Sequence, residues 1–171
     1  MKAFYVFLIA LAVVLAGCST VTGVVSKAVG GGAAKAVQAE VADFKADELL
    51  CGNGDTMMET SFYLAKITKS ASEATKNQAE VLYVRDGSKE WVVYALKSHK
   101  AKKDELAVDA VVLFPDGWAE YESMTAEEYR KARWKLGRIT STDDLFKGIV
   151  EVSGQNFYTQ LLRVPDGPIE E

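Results

Sequence analysis

The sequence is poor in the residues that enzymes most often use for nucleophilic or metal-assisted chemistry. Its 171 residues include one histidine, His99, and two cysteines, Cys18 and Cys51. A serine or cysteine nucleophile with an imidazole base would therefore depend on His99, which lies in the charged stretch KSHKAKK. No spacing of cysteine and histidine suits zinc, and GGG lacks the other parts of a phosphate-binding loop. We expect no catalytic residues, no metal site and no cofactor.

A large excess of charge of one sign is also missing. The 20 basic and 24 acidic residues give a formal net charge of −4 at pH 7. This balance lacks the basic footprint of a nucleic-acid-binding protein, so we expect no nucleic-acid partner. Lysines cluster between residues 97 and 103, where they could contact anionic headgroups or polysaccharide. Asp104 and Glu105 follow at once, which favours a solvated linker.

The only long apolar run lies at the N-terminus. It covers residues 4–16, and Lys2 supplies a positive charge before it. A helix that spans a bilayer needs about 20 apolar residues. The shorter run is typical of a signal peptide, which we place at residues 1–17.

The run ends in LAGC at residues 15–18, which resembles the lipobox of bacterial lipoproteins. The resemblance implies that residues 1–17 are removed and that Cys18 carries the lipid that binds the protein to a membrane. An ordinary signal peptide followed by a chance cysteine is the alternative. Ser19 stands where an aspartate retains enteric lipoproteins at the inner membrane, so the resemblance implies an outer-membrane location in the cell envelope. Cys51 is then the only free thiol, and we expect it to be buried in a strand.

Residues 18–36 are rich in glycine and alanine and contain no aromatic residue. They predict a flexible tether between the lipid and the folded part. The alternative is a helix whose small-residue face packs in or on a membrane, which Lys27 and Lys35 make costly.

The next segment, residues 37–47, changes to a helical pattern. Its apolar residues Val37, Val41 and Phe44 recur at i, i+4 and i+7, which places them on one face of a helix. We therefore predict a short amphipathic helix that leads into the folded part.

Two similar hexapeptides occur in distant parts of the chain, YLAKIT at 63–68 and KLGRIT at 135–140, which share Leu, Ile and Thr and have Ala/Gly and Lys/Arg as near matches. An apolar run and a glycine turn (GNG or PDG) precede each one. Two strand patterns joined by a hairpin turn follow each one. The shared order of turns favours an internal repeat, and chance similarity of a short motif is the alternative.

We place the two copies at residues 48–98 and 108–164, with a charged linker at 99–107 and a tail at 165–171. The second copy has an insertion in which Thr125 and Glu128 form a capping-box pattern, and this predicts a helix near 125–133. The alignment of the copies pairs Val81 with Ile149, Val84 with Val152, and Leu96 with Leu162.

Four or five short strands in each copy favour closure into a small barrel, because closure removes exposed sheet edges. YLAKIT with VLYVRDG and KLGRIT with GIVEVSG resemble SH3-like small barrels, and the pair resembles the tandem Tudor/agenet arrangement. The resemblance implies a mainly β fold of two tandem SH3-like barrels. Aromatic residues at strand ends of such modules can cage cationic ligands. The resemblance therefore indicates Trp118, Tyr121 and Tyr158 as ligand-binding residues. The alternative is that these three aromatic side chains pack in the core.

Together these features predict a non-enzymatic, lipid-anchored envelope protein. Its partners would be the membrane, through the lipid on Cys18, and an unidentified envelope protein or polymer. A structural component of an outer-membrane assembly is the second hypothesis, and an envelope hydrolase that depends on His99 is the third.

Overall fold

Strands dominate the residues that the computed structural model describes, which are 43–118 and 124–169. The protein is mainly β, with two antiparallel sheets. Within these residues no helix is both long and apolar enough to cross a membrane. The predicted signal peptide, the tether, Cys18 and Tyr121 lie outside the described residues.

The first sheet contains five short strands. They are β1 Leu49–Gly52, β2 Tyr63–Lys69, β3 Ala79–Tyr83, β4 Lys89–Val92 and β5 Tyr94–Leu96. Their order across the sheet is β4-β3-β2-β1-β5, so β1 to β4 form a meander and β5 returns to pair with β1.

The second sheet contains six strands. They are β6 Ser98–Lys100, β7 Val111–Pro115, β8 Trp134–Ser141, β9 Ile149–Val152, β10 Gln155–Tyr158 and β11 Arg163–Pro165. Their order is β10-β9-β8-β7-β11-β6. Apart from the extra edge strand β6, this is the order of the first sheet, because β7 to β10 form a meander and β11 returns to β7.

The repeated hexapeptide marks the same irregularity in both sheets. The register between the second and third strands of each meander shifts around Thr68 and around Thr140. The Thr68 hydroxyl donates to the Glu80 carboxylate on β3 (2.8 Å), and the Thr140 hydroxyl donates to the Glu151 carboxylate on β9 (2.5 Å). A bulge leaves one residue without its ladder partner, and in both sheets the threonine side chain bonds to the facing strand instead. The repetition of Ile-Thr therefore has a structural cause.

The strand pairing corrects the alignment of the two copies beyond the hexapeptide. Val81 faces the hexapeptide isoleucine of the first sheet and Val152 faces that of the second, so Val81 corresponds to Val152 and not to Ile149. Leu96 and Arg163 hold the same place on the returning strands, so Leu96 does not correspond to Leu162. All three pairs of the alignment from the sequence are therefore wrong, since Val152 cannot also correspond to Val84. Buried residues recur along these strands, so the hydrophobic pattern alone does not fix the register.

The two sheets are joined through a pair of equivalent residues. Phe62 and Trp134 each stand immediately before a hexapeptide. The Phe62 N–H donates to the Trp134 carbonyl and the Trp134 N–H donates to the Phe62 carbonyl, both at 2.9 Å. A reciprocal contact between equivalent positions is the hallmark of a two-fold arrangement. The sheets therefore meet around a local pseudo-two-fold axis at this pair.

A shared core surrounds that axis. Equivalent leucines from both sheets enter it, Leu50 with Leu113 and Leu64 with Leu136, and all four are at most 5% exposed. The opposite face of each sheet carries a separate cluster, with Cys51 and Val81 in the first and Phe114 and Val152 in the second, among others. The middle strands of each meander are thus buried on both faces, so neither sheet can lose its partner without exposing apolar surface.

The helix of the second copy is α1, Ala126–Lys131. It begins after Thr125, whose hydroxyl accepts the Glu128 N–H (3.2 Å) while the Glu128 carboxylate accepts the Thr125 N–H (2.8 Å). This is the capping box that the sequence indicates. The helix places Tyr129 fully inside the shared core, where its ring lies 4.9 Å from that of Trp134.

Two segments differ from the sequence expectation. Residues 43–47, the described part of the predicted leading helix, contain a turn and no helix. The charged stretch that was expected to be a linker contains β6, where Lys100 pairs with Arg163. Strand β6 is an edge strand, and lysine is well tolerated at sheet edges because it opposes further pairing.

Arg163 explains how both segments are held. It is 1% exposed, and its Nε and Nη2 donate to the hydroxyl (3.0 Å) and the carbonyl (2.6 Å) of Ser98. Its Nη1 donates to the Asp43 carboxylate, and its guanidinium lies 3.8 Å from the centroid of the Phe44 ring. One buried arginine on β11 thus ties the edge strand β6 and residues 43–44 to the rest of the second sheet. Partial burial acts to raise the pKa of Asp43, but hydrogen bonds from the Arg163 guanidinium and the Phe44 N–H outweigh it and hold that pKa below its usual value.

Candidate functional site

A cleft of about 460 Å³ opens at one end of the second sheet. The described residues that line it are Asp116, Gly117 and Trp118, which follow β7, and Gln155 and Asn156, which begin β10. Gly117 has a φ of 87°, which favours glycine and lets the chain turn directly after β7. Trp118 packs partly against the shared core, so one portion of its ring is anchored while another borders the cleft.

The corresponding place in the first sheet is spanned by a side chain. Asn53 follows β1 as Asp116 follows β7. Its amide nitrogen donates to the Trp91 carbonyl and to the Glu90 carboxylate, both at 3.0 Å, and its amide oxygen accepts the Val93 N–H at 2.9 Å. These contacts join the end of β1 to the edge strand β4 across the sheet.

The register shows that the cleft occupies the equivalent position. Trp91 lies opposite Glu80, and Asn156 lies opposite Glu151. Since the two glutamates are the equivalent partners of the hexapeptide threonines, Trp91 corresponds to Asn156. Glu90 precedes Trp91 as Gln155 precedes Asn156, so Glu90 corresponds to Gln155. The space that Asn53 bridges in the first sheet is therefore the cleft of the second.

The Asp116 side chain is held by two cations instead. Its Oδ2 lies 2.5 Å from Arg133 Nη2 and 3.4 Å from Lys135 Nζ. Neither contact has hydrogen-bond geometry, so the attraction is electrostatic. The equivalent positions of the first copy, counted from the hexapeptides, are Ser61 and Tyr63, which carry no positive charge. The second sheet thus has the Asp116 carboxylate where the first has the Asn53 amide, and it adds the cations Arg133 and Lys135 beside it. Asp116 does not bridge to β10 in the way that Asn53 bridges to β4.

The structure separates the three aromatic residues that the sequence indicated. Trp118 lines the cleft. Tyr158 is 9% exposed and belongs to the shared core, and it is not among the described residues that line the cleft. Tyr121 lies outside the described residues. The polar residues Asp116, Gln155 and Asn156 were missed. The one signal in the sequence was the change from GNG in the first copy to PDG in the second, which replaces Asn53 with Asp116. Its effect cannot be predicted locally, because the strand that faces Asp116 lies far along the chain.

A second aromatic arrangement lies in the first sheet and already contains a cation. The rings of Tyr63 and Tyr83 are nearly perpendicular, with centroids 6.0 Å apart. The Arg85 guanidinium lies 3.8 Å from the Tyr63 centroid and 5.1 Å from the Tyr83 centroid. Burial and a hydrogen bond to the Glu90 carboxylate raise the pKa of Tyr83, so its hydroxyl stays protonated. The chain itself supplies the cation for these rings.

His99 lies between two carboxylates. Its Nδ1 is 2.6 Å from Asp166 Oδ1 and its Nε2 is 2.9 Å from Glu105 Oε1. Hydrogen bonds to Asp166 and then to Glu105 raise the pKa of His99 above its ordinary value. Since both ring nitrogens are engaged by acidic side chains, this arrangement clamps β6 to the residues on either side of it.

Cys51 is fully buried in β1, which confirms the expectation from the sequence. Burial raises the pKa of its thiol to about 12, so the reactive thiolate is scarce at neutral pH. In the described part of the chain, no group of three or more histidine, cysteine or acidic side chains could hold a metal ion.

The cleft beside Trp118 is therefore the candidate site, formed by an aromatic ring, two amides and a carboxylate that is paired with two cations. No protein-family model, no curated protein and no solved structure matches this chain.

Proposed function

We propose that this chain is a lipid-anchored protein of the bacterial cell envelope with a non-enzymatic binding role. Its two sheets would act as paired small β-barrels, and the ligand would occupy the cleft beside Trp118. The observation that carries the proposal is the contrast between the sheets. They share one strand order, apart from the extra edge strand β6, yet the gap that Asn53 bridges in the first sheet is a cleft in the second, where the Asp116 side chain contacts Arg133 and Lys135 instead.

The barrel description is supported by two features. The returning strand β11 follows a 3₁₀ turn at Thr159–Leu161, which reverses the chain so that β11 can pair with β7. In the first sheet the Asn53 side chain bonds to both Trp91 and Val93, which draws the edge strand β4 toward the end of β1. Side-chain contacts of this kind curl a twisted sheet toward closure and protect its edge.

The lipid anchor is supported by the LAGC sequence at residues 15–18. Each buried CH₂ of an acyl chain contributes about 0.8 kcal/mol, so two or more chains hold a protein firmly on a bilayer. Cys18→Ala is expected to move the full-length protein from the membrane fraction to the soluble fraction of its bacterial host. Cys51→Ala is the matched control and is expected to stay with the membrane. Retention of the Cys18→Ala protein in a fraction that needs detergent would contradict the anchor.

The outer-membrane location depends on Ser19. Density fractionation of envelopes is expected to place the unaltered protein with outer-membrane markers, and Ser19→Asp is expected to shift it toward inner-membrane markers. Identical fractionation of the two proteins would remove the sorting argument and leave the anchor itself untouched.

The binding role is tested with the full-length protein in detergent micelles, immobilised and exposed to solubilised envelope from its host. We expect retention of an envelope protein or polymer that Trp118→Ala abolishes. Trp91→Ala is the matched control, because Trp91 is a partly exposed tryptophan of the first sheet. Gln155→Ala provides a second cleft variant at an exposed position. Equal retention by all four proteins, or by none of them, would contradict a binding role for the cleft.

A further inference from the structure

The hydrogen-bonding groups of the cleft indicate what kind of ligand fits. Gln155 carries an amide, which offers two donors and one acceptor, and Asp116 adds a carboxylate. The Gln155 side chain makes no hydrogen bond to any described residue. A ligand that matches this wall must both donate and accept at several points, and a row of hydroxyl groups does so at every oxygen.

The apolar part of the cleft is a single flat ring. Among the described residues that line it, Trp118 is the only one with an apolar side chain. A peptide partner is usually anchored by apolar side chains in apolar pockets, and the described wall offers no such pocket. The C–H face of a sugar ring carries slight positive charge and can lie flat on the indole face, while the hydroxyl groups at its edge reach the surrounding polar groups.

The charges at the cleft favour a neutral ligand. The Asp116 carboxylate is already in contact with Arg133 and Lys135, so it does not present unbalanced negative charge to a cation. An anion would approach that same carboxylate, and the two cations are 50% and 42% exposed, where solvent and salt weaken their attraction. Neither sign of charge is therefore strongly selected.

We propose that the cleft formed by Asp116, Trp118, Gln155 and Asn156 binds a segment of a neutral glycan, with one sugar ring stacked on Trp118. This rests on the binding role proposed above and assigns its ligand class. Because Asn53 spans the equivalent position of the first sheet, the described residues form one such site. The carboxylate at position 116 keeps the cleft open, since Arg133 and Lys135 hold it away from the place where an amide would bridge to β10.

The test uses the full-length chain in detergent micelles, titrated with the hexasaccharide of β-1,4-linked N-acetylglucosamine and followed by calorimetry. We expect saturation at one oligosaccharide per chain. Gln155→Ala and Trp118→Ala are each expected to weaken binding by about tenfold, the loss of a stacking or hydrogen-bonding contact. Trp91→Ala is expected to leave binding unchanged. Thermal unfolding of each variant shows whether it is folded, and the exposed Gln155 keeps the test valid if Trp118→Ala does not fold.

Asp116→Asn separates a built site from an incidental surface. The substitution removes the attraction to Arg133 and Lys135 and supplies the amide that closes the first sheet, so we expect it to abolish binding without loss of fold. Binding that is unchanged by Asp116→Asn and Gln155→Ala would overturn the glycan site. The absence of saturable binding to this hexasaccharide and to maltohexaose would overturn it as well.

The outcomes also distinguish the two proposals. If envelope extract is retained in a Trp118-dependent manner but the retained material is a protein or peptide, the glycan assignment is wrong and the binding role stands. If neither extract nor oligosaccharide binds at the cleft, both are wrong.

Discussion

Gly137→Ala is expected to destabilise the second sheet, although the equivalent position of the first sheet carries Ala65. Both residues occupy the third position of the hexapeptide and both are buried. A Cβ added at Gly137 would lie 2.7 Å from Ser153 Oγ, 2.8 Å from Phe114 Cε1 and 2.9 Å from Val152 Cγ1. The matching neighbour in the first sheet is Cys51, which is much smaller than Phe114. Glycine in the second copy therefore makes room for a larger core residue.

The size of the destabilisation by Gly137→Ala depends on which neighbours of the new methyl group can move. The Ser153 side chain is exposed and can rotate away, whereas Phe114 and Val152 are 7% and 0% exposed and packed in the core of the second sheet. Forcing an extra methyl group into a well-packed core costs about 1–3 kcal/mol. We expect a loss of that size in the free energy of unfolding, measured by urea denaturation of the full-length chain in micelles with an unchanged m-value.

A double-mutant cycle tests the cause. Phe114→Leu removes the ring edge that meets the new methyl group, so Gly137→Ala should cost less in that background, with a coupling energy of at least about 0.5 kcal/mol. Ala65→Gly in the first sheet is the control and should show no coupling to Phe114→Leu. The reasoning is refuted if Gly137→Ala changes stability by less than about 0.3 kcal/mol, or if its cost is the same with leucine at position 114.

Three further predictions concern the contacts that hold the edges of the sheets. Arg163→Met should lower the free energy of unfolding by about 1–3 kcal/mol, measured by urea denaturation, because it leaves partly buried acceptors on Ser98 unpaired. The stabilising effect of His99 should be full below its unfolded pKa of about 6.5 and fade as pH rises through its raised folded pKa, so the melting temperature should fall with pH in the unaltered protein and less in His99→Gln. Asn53→Ala should accelerate hydrogen exchange at the Val93 amide, which donates to the Asn53 side chain.

Each of these has a distinct contrary result. Unchanged stability in Arg163→Met would mean that the buried guanidinium contributes no net stability. A melting temperature that rises through neutral pH, or one with the same slope in His99→Gln, would contradict the clamp by Asp166 and Glu105. Unchanged exchange at Val93 would show that Asn53 does not hold the edge of the first sheet.

Some of the fold follows from local sequence. The capping box at Thr125 predicts α1 because its two hydrogen bonds lie within one turn of the chain. The hexapeptides predict a repeated element, and in the structure both threonines donate a hydrogen bond to a glutamate on the next strand. Burial of Cys51 follows from its apolar neighbours in the sequence.

Contacts between distant segments could not be predicted in this way. Arg163 reads as a surface residue at the end of a strand pattern, but its partners Asp43 and Ser98 lie 120 and 65 residues away. The same holds for the cleft, since Asp116 and Gln155 come together only after the meander of the second sheet has formed. The sequence indicated Trp118 because a tryptophan beside a turn is conspicuous, and it did not indicate the polar residues that line the same cleft because each is ordinary by itself.

The three tryptophans allow the central claim to be tested in one spectrum, because each lies in a different environment. Trp91 is on the first sheet, Trp118 borders the cleft, and Trp134 is buried between the sheets. The full-length chain labelled with 5-fluorotryptophan would be observed by ¹⁹F NMR in micelles as solubilised envelope glycan is added. We predict that the Trp118 signal moves in a saturable manner while the Trp91 and Trp134 signals stay in place. Movement of the Trp91 signal alone, or no movement of the Trp118 signal, would contradict the claim that the second sheet carries the binding site.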